Sequence, residues 1–291
     1  MFKRVYLEIS NICNLQCSFC PAGEKEKKTM DLSEFEDSLK QVAPLTELVC
    51  LHLLGEPLAH PEFGQILEIC KKYDTPIELT TNGLLINKYT DKIINSNCVK
   101  QVNFSLQAFK DNFPDKNIDD YLTPIFEFVK FGHKIKPDLY INFRLWNQKS
   151  NISDNEEILL KIEQYFNIQI NRNIAVEAIK SKNIWNRLYL HFDSRFEWPS
   201  FNLPNLGTQG RCNGILNHIG ILADGTVVPC CLDKNGEINL GNLKNLTLTE
   251  IINSKRFTAM RTGFLNGVLV ENFCQHCSFI NRFKKTIKAK Q

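Results

Sequence analysis

The chain has 291 residues, 43% hydrophobic and 23% charged, the composition of a globular protein with room for one large domain and a small appendage. A formal net charge of +3 excludes the strongly basic character that a nucleic-acid or anionic-membrane partner requires. No run of about 18 apolar residues and no apolar leader after Met1 occurs, so the expected location is the cytoplasm.

Short β-rich runs alternate with amphipathic helical stretches from residue 4 to about residue 192, the pattern of a parallel sheet built from βα units. The first strand is expected at Val5–Ile9. Asp31-Leu32-Ser33-Glu34 then reads as an N-cap with a glutamate three residues on, with Leu32, Phe35, Leu39 and Val42 on one helical face. A second strand at Leu48–Leu53 precedes a helix starting at His60-Pro61, with Phe63, Ile66, Leu67 and Cys70 toward the core. Strands at Ile77–Thr80, Gln101–Leu106, Leu139–Leu145 and Arg187–Phe192 follow, separated by helices at 87–94 and 121–131 and by one opening at Ser153-x-x-Glu156. Phe196–Gly210, with Pro199, Pro204 and two glycines, reads as a linker. Beyond it His218–Leu222, the turn Asp224-Gly225 and Thr226–Pro229 predict a hairpin, and a helix is expected over 249–261. The basic tail Lys284, Lys285, Lys288 and Lys290 reads as a solvated terminus.

Eleven cysteines in a reducing compartment are not a disulfide framework, and seven of them fall into two sets, which predicts metal binding. Cys50, Cys70 and Cys98 stand alone in apolar segments and are expected as buried hydrophobes. Cys13, Cys17 and Cys20 follow the first strand with the spacing C-x3-C-x2-C. Thiolates this close suit an iron–sulfur cluster or zinc. A closed zinc site takes four ligands, whereas three thiolates on a cubane leave one iron for an outside ligand.

This motif resembles the hallmark of the radical S-adenosylmethionine (AdoMet) superfamily. The resemblance implies a partial (β/α)6 TIM-type barrel, an open iron that chelates the amino and carboxylate groups of AdoMet, and one-electron cleavage to a 5′-deoxyadenosyl radical that takes hydrogen from substrate. It implies further roles at strand ends, where chemistry collects in such barrels. Leu54-Gly55-Glu56-Pro57 resembles the family's GGEP segment with Leu54 in place of the first glycine, which gives Gly55 and Glu56 the AdoMet amino group. Thr81 and Asn82 lie in a turn resembling the family's T-N-G. Ser105 is expected against the AdoMet ribose or carboxylate, Arg144 against the carboxylate through its guanidinium fork, and Phe19 near adenine.

The second set, Cys212, Cys230, Cys274 and Cys277, fits C-x12-G-x4-C followed by C-x2-C, with Gly225 in the hairpin turn. It resembles the auxiliary-cluster module called SPASM. No cysteine follows Cys277, so the shortened form called twitch is expected, with one auxiliary [4Fe-4S] cluster closed by four thiolates. Similar spacing occurs in an AdoMet-dependent dehydrogenase that oxidises 2-deoxy-scyllo-inosamine. A structural zinc ribbon takes four thiolates too, and Cys231 competes with Cys230 for the site. His276 is expected as an exposed loop histidine. The boundaries so read are 1–195 for the barrel, 196–211 for the linker and 212–291 for the auxiliary domain.

The expected function is a two-electron oxidation of a small molecule such as a sugar or aminocyclitol alcohol. No amino-terminal peptide-recognition segment precedes the first strand, yet a peptide-modifying enzyme remains an alternative, as does a non-catalytic zinc or iron–sulfur protein. A flavodoxin or ferredoxin is the expected reductant. Catalytic residues acting directly on substrate are not assignable from sequence; His191, Asp193, Arg195, Glu197 and Trp198 are the leads to it.

Overall fold

The structure is a computed structural model and describes residues 1–21, 23–148, 153–172, 180–195 and 197–284. Phe196 of the expected linker and Lys285, Lys288 and Lys290 of the basic tail lie outside the described residues. In chain order the elements begin with β1 (Arg4–Leu7), α1 (Leu32–Val42), β2 (Val49–Cys50), α2 (Phe63–Lys72), β3 (Ile77–Thr81) and α3 (Ile86–Ile94). They continue with β4 (Val99–Ser105), α4 (Gln107–Asn112), α5 (Asp119–Ile135), β5 (Tyr140–Gln148), α6 (Ser153–Phe166), β6 (Ser181–Trp185) and β7 (Leu188–Ser194). The last are β8 (His218–Ile221), β9 (Thr226–Val228), β10 (Gly241–Asn242), α7 (Leu248–Ile252), α8 (Lys255–Leu265), α9 (Asn272–Gln275) and α10 (Asn281–Lys284).

These elements form two compact units. One takes Met1–Ile12, Pro21–Gly55 and the described part of Phe196–Gln291; the other takes Cys13–Cys20 and Glu56–Arg195. The chain is divided at 195–196, and the amino-terminal segments Met1–Ile12 and Pro21–Gly55 group with the carboxyl-terminal part, where β8 pairs in parallel with β1, Arg4 opposite His218 and Leu7 opposite Ile221. In the first unit the strand order is β10-β9-β8-β1-β2. The hairpin of β8 and β9 forms as expected, with Gly225 at φ +88° in its turn, where glycine bears no Cβ penalty. The carboxylate of Glu8, buried just after β1, accepts from the backbone N–H of Leu54 and of Ala223, both at 3.0 Å, and so ties both loops to the first strand.

In the second unit β3, β4, β5 and β7 run parallel in that order, and β6 closes the edge antiparallel to β7. Strand side chains alternate between faces, and here the alternation separates two chemistries. Leu79, Val102, Phe104, Ile141, Phe143, Leu188 and Leu190 are fully buried on one face, where Phe104 meets Phe128 of α5 edge-on at 5.5 Å. Glu78, Thr80, Gln101, Asn103, Ser105, Asn142, Arg144 and His191 occupy the other. An α/β fold with parallel βα units is thus present, and all six expected strands form.

Of three local features, one forms as expected and two differ, each for a physical reason. Asp31 and Glu34 complete the capping box that starts α1. At α2, however, the helix begins at Phe63, because Pro57–Ala59 forms a 3-10 turn and His60 Nδ1 accepts the N–H of Glu62 at 3.1 Å. The face Phe63, Ile66, Leu67 and Cys70 is buried as expected. Strand β6 was not expected; it turns into β7 through Asn186 at φ +45°, whose carbonyl accepts from the Asn183 side chain at 2.6 Å. Cys50, Cys70 and Cys98 are buried.

Candidate active site

The loop after β1 carries Cys13, Cys17 and Cys20 as free thiols, the first and last exposed. Within the second unit it is gripped by α4. Asn112 accepts the Gln16 N–H at 2.8 Å and donates to Cys17 Sγ at 3.1 Å, while Asp111 accepts the Ser18 hydroxyl at 2.6 Å and the Ser18 N–H. Arg195, after β7, donates to Ser18 Oγ at 3.1 Å and lies over the Phe19 ring at 5.5 Å. From the turn after β3, Asn82 Nδ2 donates to Asn14 Oδ1 at 2.7 Å. Burial pushes the Cys17 thiol up to about 11 and raises that of Cys13. A cationic centre bound there would favour their thiolate forms.

Glu56, Thr81 and Asn82 meet in one hydrogen-bonded cluster. The buried Glu56 carboxylate accepts from Thr81 Oγ1 at 2.7 Å, from the Asn82 N–H at 2.7 Å and from the Leu58 N–H at 3.0 Å. Desolvation outweighs these donors and moves the carboxyl up to about 7. The buried Tyr121 hydroxyl, which the sequence did not point to, donates to the Asn82 carbonyl at 2.7 Å.

Gly55 belongs to the first unit and explains why the segment needs a glycine. Its φ is +76°, and a Cβ there would stand 2.1 Å from the Ser10 carbonyl oxygen and 3.0 Å from that of Ile12. Both obstacles are backbone. Gly55→Ala is therefore expected to cost more than the roughly 1–3 kcal/mol of a strained backbone alone. Urea unfolding of the purified variant checks this; a stability within about 1 kcal/mol of wild type, the range of ordinary substitutions, would contradict it.

Ser105, Arg144 and His191 are neighbours in register at the ends of β4, β5 and β7. Arg144 is held by Glu78 Oε1 at 3.3 Å and Thr80 Oγ1 at 3.2 Å, and rests over Trp146 at 4.7 Å. Burial and the Arg144 charge bring His191 down to about 4, so it is neutral at physiological pH. A cavity of about 550 Å³ opens beside the cysteine loop, lined among others by Phe19, Gln107, Asp111, Asn155 and Arg195. Gln107 Oε1 and Asn155 Oδ1 are buried there, and among the described residues neither has a hydrogen-bond partner.

Of the other leads, Asp193 pairs with Lys180 at 3.2 Å, and Trp198 packs in the first unit against Leu53, Leu54, Leu222 and Val228.

Cys212, Cys230, Cys231, Cys274 and Cys277 gather within the first unit. A Cβ on Gly214 would lie 3.4 Å from Cys212 Sγ and 3.3 Å from Cys230 Cβ, and Cys277 donates its N–H to the Cys274 carbonyl at 3.3 Å. Burial raises all five thiols, and the neighbouring cysteines add to the rise at Cys230 and Cys274. Cys231 instead packs on the cluster of Leu53, Leu54, Leu222 and Val228, with its thiol bonded to Tyr6. His276 is half-buried rather than an exposed loop residue, because Leu203 O at 2.6 Å and the Phe201 ring at 5.7 Å hold it. Among the described residues no three His, Cys, Asp or Glu side chains converge on a point suited to a single metal ion.

Each cysteine set falls within a span matched by the model of a known family. The sequence model of the Radical SAM superfamily matches residues 7–135, and SPASM, an iron–sulfur cluster-binding domain, matches residues 212–278. The chain belongs to the radical SAM superfamily and carries a SPASM domain. It is 24% identical to the tungsten-containing aldehyde ferredoxin oxidoreductase cofactor-modifying protein of Pyrococcus furiosus, over 95% of this chain and 87% of that protein. The solved structure of BtrN with AdoMet and 2-DOIA matches 96% of this chain and 93% of its own, with a TM-score of 0.61 at 16% identity. Streptococcus suis SuiB bound to S-adenosylmethionine matches with a TM-score of 0.62 at 15% identity, over all of this chain and 75% of its own. These two likenesses establish the fold, the partial barrel of radical SAM enzymes.

The family's cofactors are a [4Fe-4S] cluster, an auxiliary cluster and AdoMet. The residues present fit them: three thiols on one clamped loop, a second group of half-buried thiols, and a roomy cavity with orphaned amide oxygens beside the loop. Reasoning from sequence missed Asp111, Asn112, Gln107 and Asn155. None stands in a recognisable motif, and only the path of the chain through β4 and β5 brings them to the cysteine loop. Among the described residues no helix is long and apolar enough to cross a membrane.

Proposed function

We propose that this radical SAM enzyme carries out a two-electron oxidation of a small-molecule alcohol, a sugar or aminocyclitol among the candidates. The observation that carries the reading is the SPASM cysteine group: Cys212, Cys230, Cys274 and Cys277 suffice to close a cubane with no iron left for substrate. Cys231, bonded to Tyr6, is left outside the set. The full-length likeness in fold to BtrN, solved with AdoMet and 2-DOIA, supports the same reading. So closed, the cluster supplies an electron acceptor, in the shortened twitch form of the module.

Cys13, Cys17 and Cys20 hold the other cluster. When bound, it and AdoMet supply one-electron cleavage of the sulfonium and the hydrogen-abstracting radical that results. A flavodoxin- or ferredoxin-type protein in the cytoplasm provides the electron. Around that centre the chain's own groups orient AdoMet. Glu56, positioned by Gly55 and by the Thr81–Asn82 turn, takes the ammonium group. Arg144 takes the carboxylate, Ser105 the ribose, and the adenine enters the cavity beside Phe19, its N–H groups answered by the amide oxygens of Gln107 and Asn155.

Because burial places the Glu56 carboxyl near 7, the fraction able to pair with an ammonium falls about tenfold per unit of pH below that value. AdoMet affinity of the holoenzyme is therefore expected to rise from pH 6 to pH 8, and Glu56→Gln to bind weakly with little pH dependence. Isothermal titration across that range checks it; a pH-independent wild type would remove Glu56 from the ammonium site.

A second reading, peptide modification, is favoured by the match in fold to SuiB across the whole of this chain. The two are separated by incubating the reduced holoenzyme with AdoMet and carbon-deuterated polyols, aminocyclitols or peptides. Deuterium in 5′-deoxyadenosine together with a new ketone supports alcohol oxidation; deuterium transfer from peptides alone contradicts it.

A further inference from the structure

Asn112 ends α4, and its side-chain amide makes three contacts. Oδ1 accepts the Gln16 N–H at 2.8 Å, and Nδ2 donates to the Ala108 carbonyl at 2.8 Å and to Cys17 Sγ at 3.1 Å. The first two fix which end of the amide faces the cysteine. Rotating the amide by half a turn would set its oxygen against the Ala108 carbonyl and the sulfur, and its NH2 against the Gln16 N–H, losing all three bonds. The orientation is thus dictated by backbone groups on both sides, and an N–H dipole is aimed at Cys17 Sγ. The contacts of Cys13 are longer, 3.4 Å from the Leu15 N–H and 3.9 Å from Asn82 Nδ2.

We propose that Asn112 is a positioning residue that sets the reduction potential of the cluster held by Cys13, Cys17 and Cys20, by donating this hydrogen bond to the Cys17 sulfur. The proposal rests on the assignment of those three thiolates under the proposed function. Reduction adds one electron from an external low-potential donor, and part of the added charge resides on the cysteine sulfurs. A donor aimed at one of them stabilises the reduced form more than the oxidised form and raises the potential. No bond breaks and no proton moves at Asn112. The neighbouring Asp111 holds Ser18 through both carboxylate oxygens, and its negative charge also acts on Cys17.

The test is an anaerobic redox titration of the reconstituted holoenzyme, followed by electron paramagnetic resonance of the cluster signal that AdoMet perturbs. Asn112→Asp keeps an oxygen for the Gln16 N–H but replaces the sulfur's donor with a carboxylate. With iron and sulfide content as in wild type, it is expected to show a reduced-to-oxidised ratio about tenfold lower at the wild-type midpoint, a shift of about 59 mV for one electron. An unshifted midpoint at full cluster content overturns the proposal. Should N112D fail to take up the cluster, Asn112→Gln and Asn112→Met decide, being of similar length with and without the N–H. A higher midpoint for N112Q supports the proposal, and equal midpoints overturn it. Failure of the underlying assignment looks different: Cys17→Ala would then keep the AdoMet-responsive signal, and the proposal would fall with it.

Discussion

Replacing Cys13, Cys17 and Cys20 together by alanine is expected to abolish 5′-deoxyadenosine formation while leaving about four iron and four sulfide per chain, one cubane's complement. The three thiols share one short loop, and that loop is fastened by groups that do not depend on them: Asn112 on Gln16, Asp111 on Ser18, Asn82 on Asn14. Removing the sulfurs therefore takes away the ligands without removing the clamp, and the fold should survive. The SPASM thiols lie in the first unit and should keep their cluster. Anaerobic assay of the product by chromatography, with iron and sulfide analysis, checks both halves. Undiminished deoxyadenosine would defeat the assignment of the three cysteines.

Replacing Cys274 and Cys277 by alanine should remove about one cubane as well, with the opposite functional signature. AdoMet cleavage continues in a folded variant, because its residues are elsewhere, but substrate oxidation stops for want of an electron acceptor. Metal-binding energy is often folding energy, so circular dichroism must first establish that the variant is folded. The packing of Phe273 with Phe201 at 5.2 Å and of Arg256 with Glu271 at 2.7 Å offers that segment support independent of the cluster. A folded variant that lacks the second cluster and still oxidises substrate normally would refute the acceptor role.

Much of this was legible in the residues, for reasons that differ from place to place. The alternation of strands β3, β4, β5 and β7 is strong because one face is wholly apolar, so these four strands could be read directly. The capping box of α1 and the Asp224-Gly225 turn are local chemistry and formed where local chemistry put them. The edge strand β6 escaped because its pairing with β7 depends on a tight turn at Asn186-Arg187. The grouping of the amino-terminal segments with the carboxyl-terminal part was not visible, because the parallel pairing of β1 with β8 joins residues more than two hundred positions apart. At the site, the cysteine spacing and the strand-end Glu56, Ser105 and Arg144 were visible as motif. Their supports were not. Asp111-Asn112 is an unremarkable helix end in sequence, and acquires meaning only when α4 is carried against the cysteine loop. Arg144 likewise reads as a lone basic residue until Glu78 and Thr80 are seen to hold it.

The most direct test of the account is anaerobic incubation of the reconstituted wild-type chain with AdoMet and a strong reductant, with 5′-deoxyadenosine measured against iron and sulfide content. Two cubanes predict about eight iron and eight sulfide per chain, and multiple equivalents of deoxyadenosine that vanish without reductant. Zinc without sulfide, or a fully loaded protein that yields no deoxyadenosine, would contradict it.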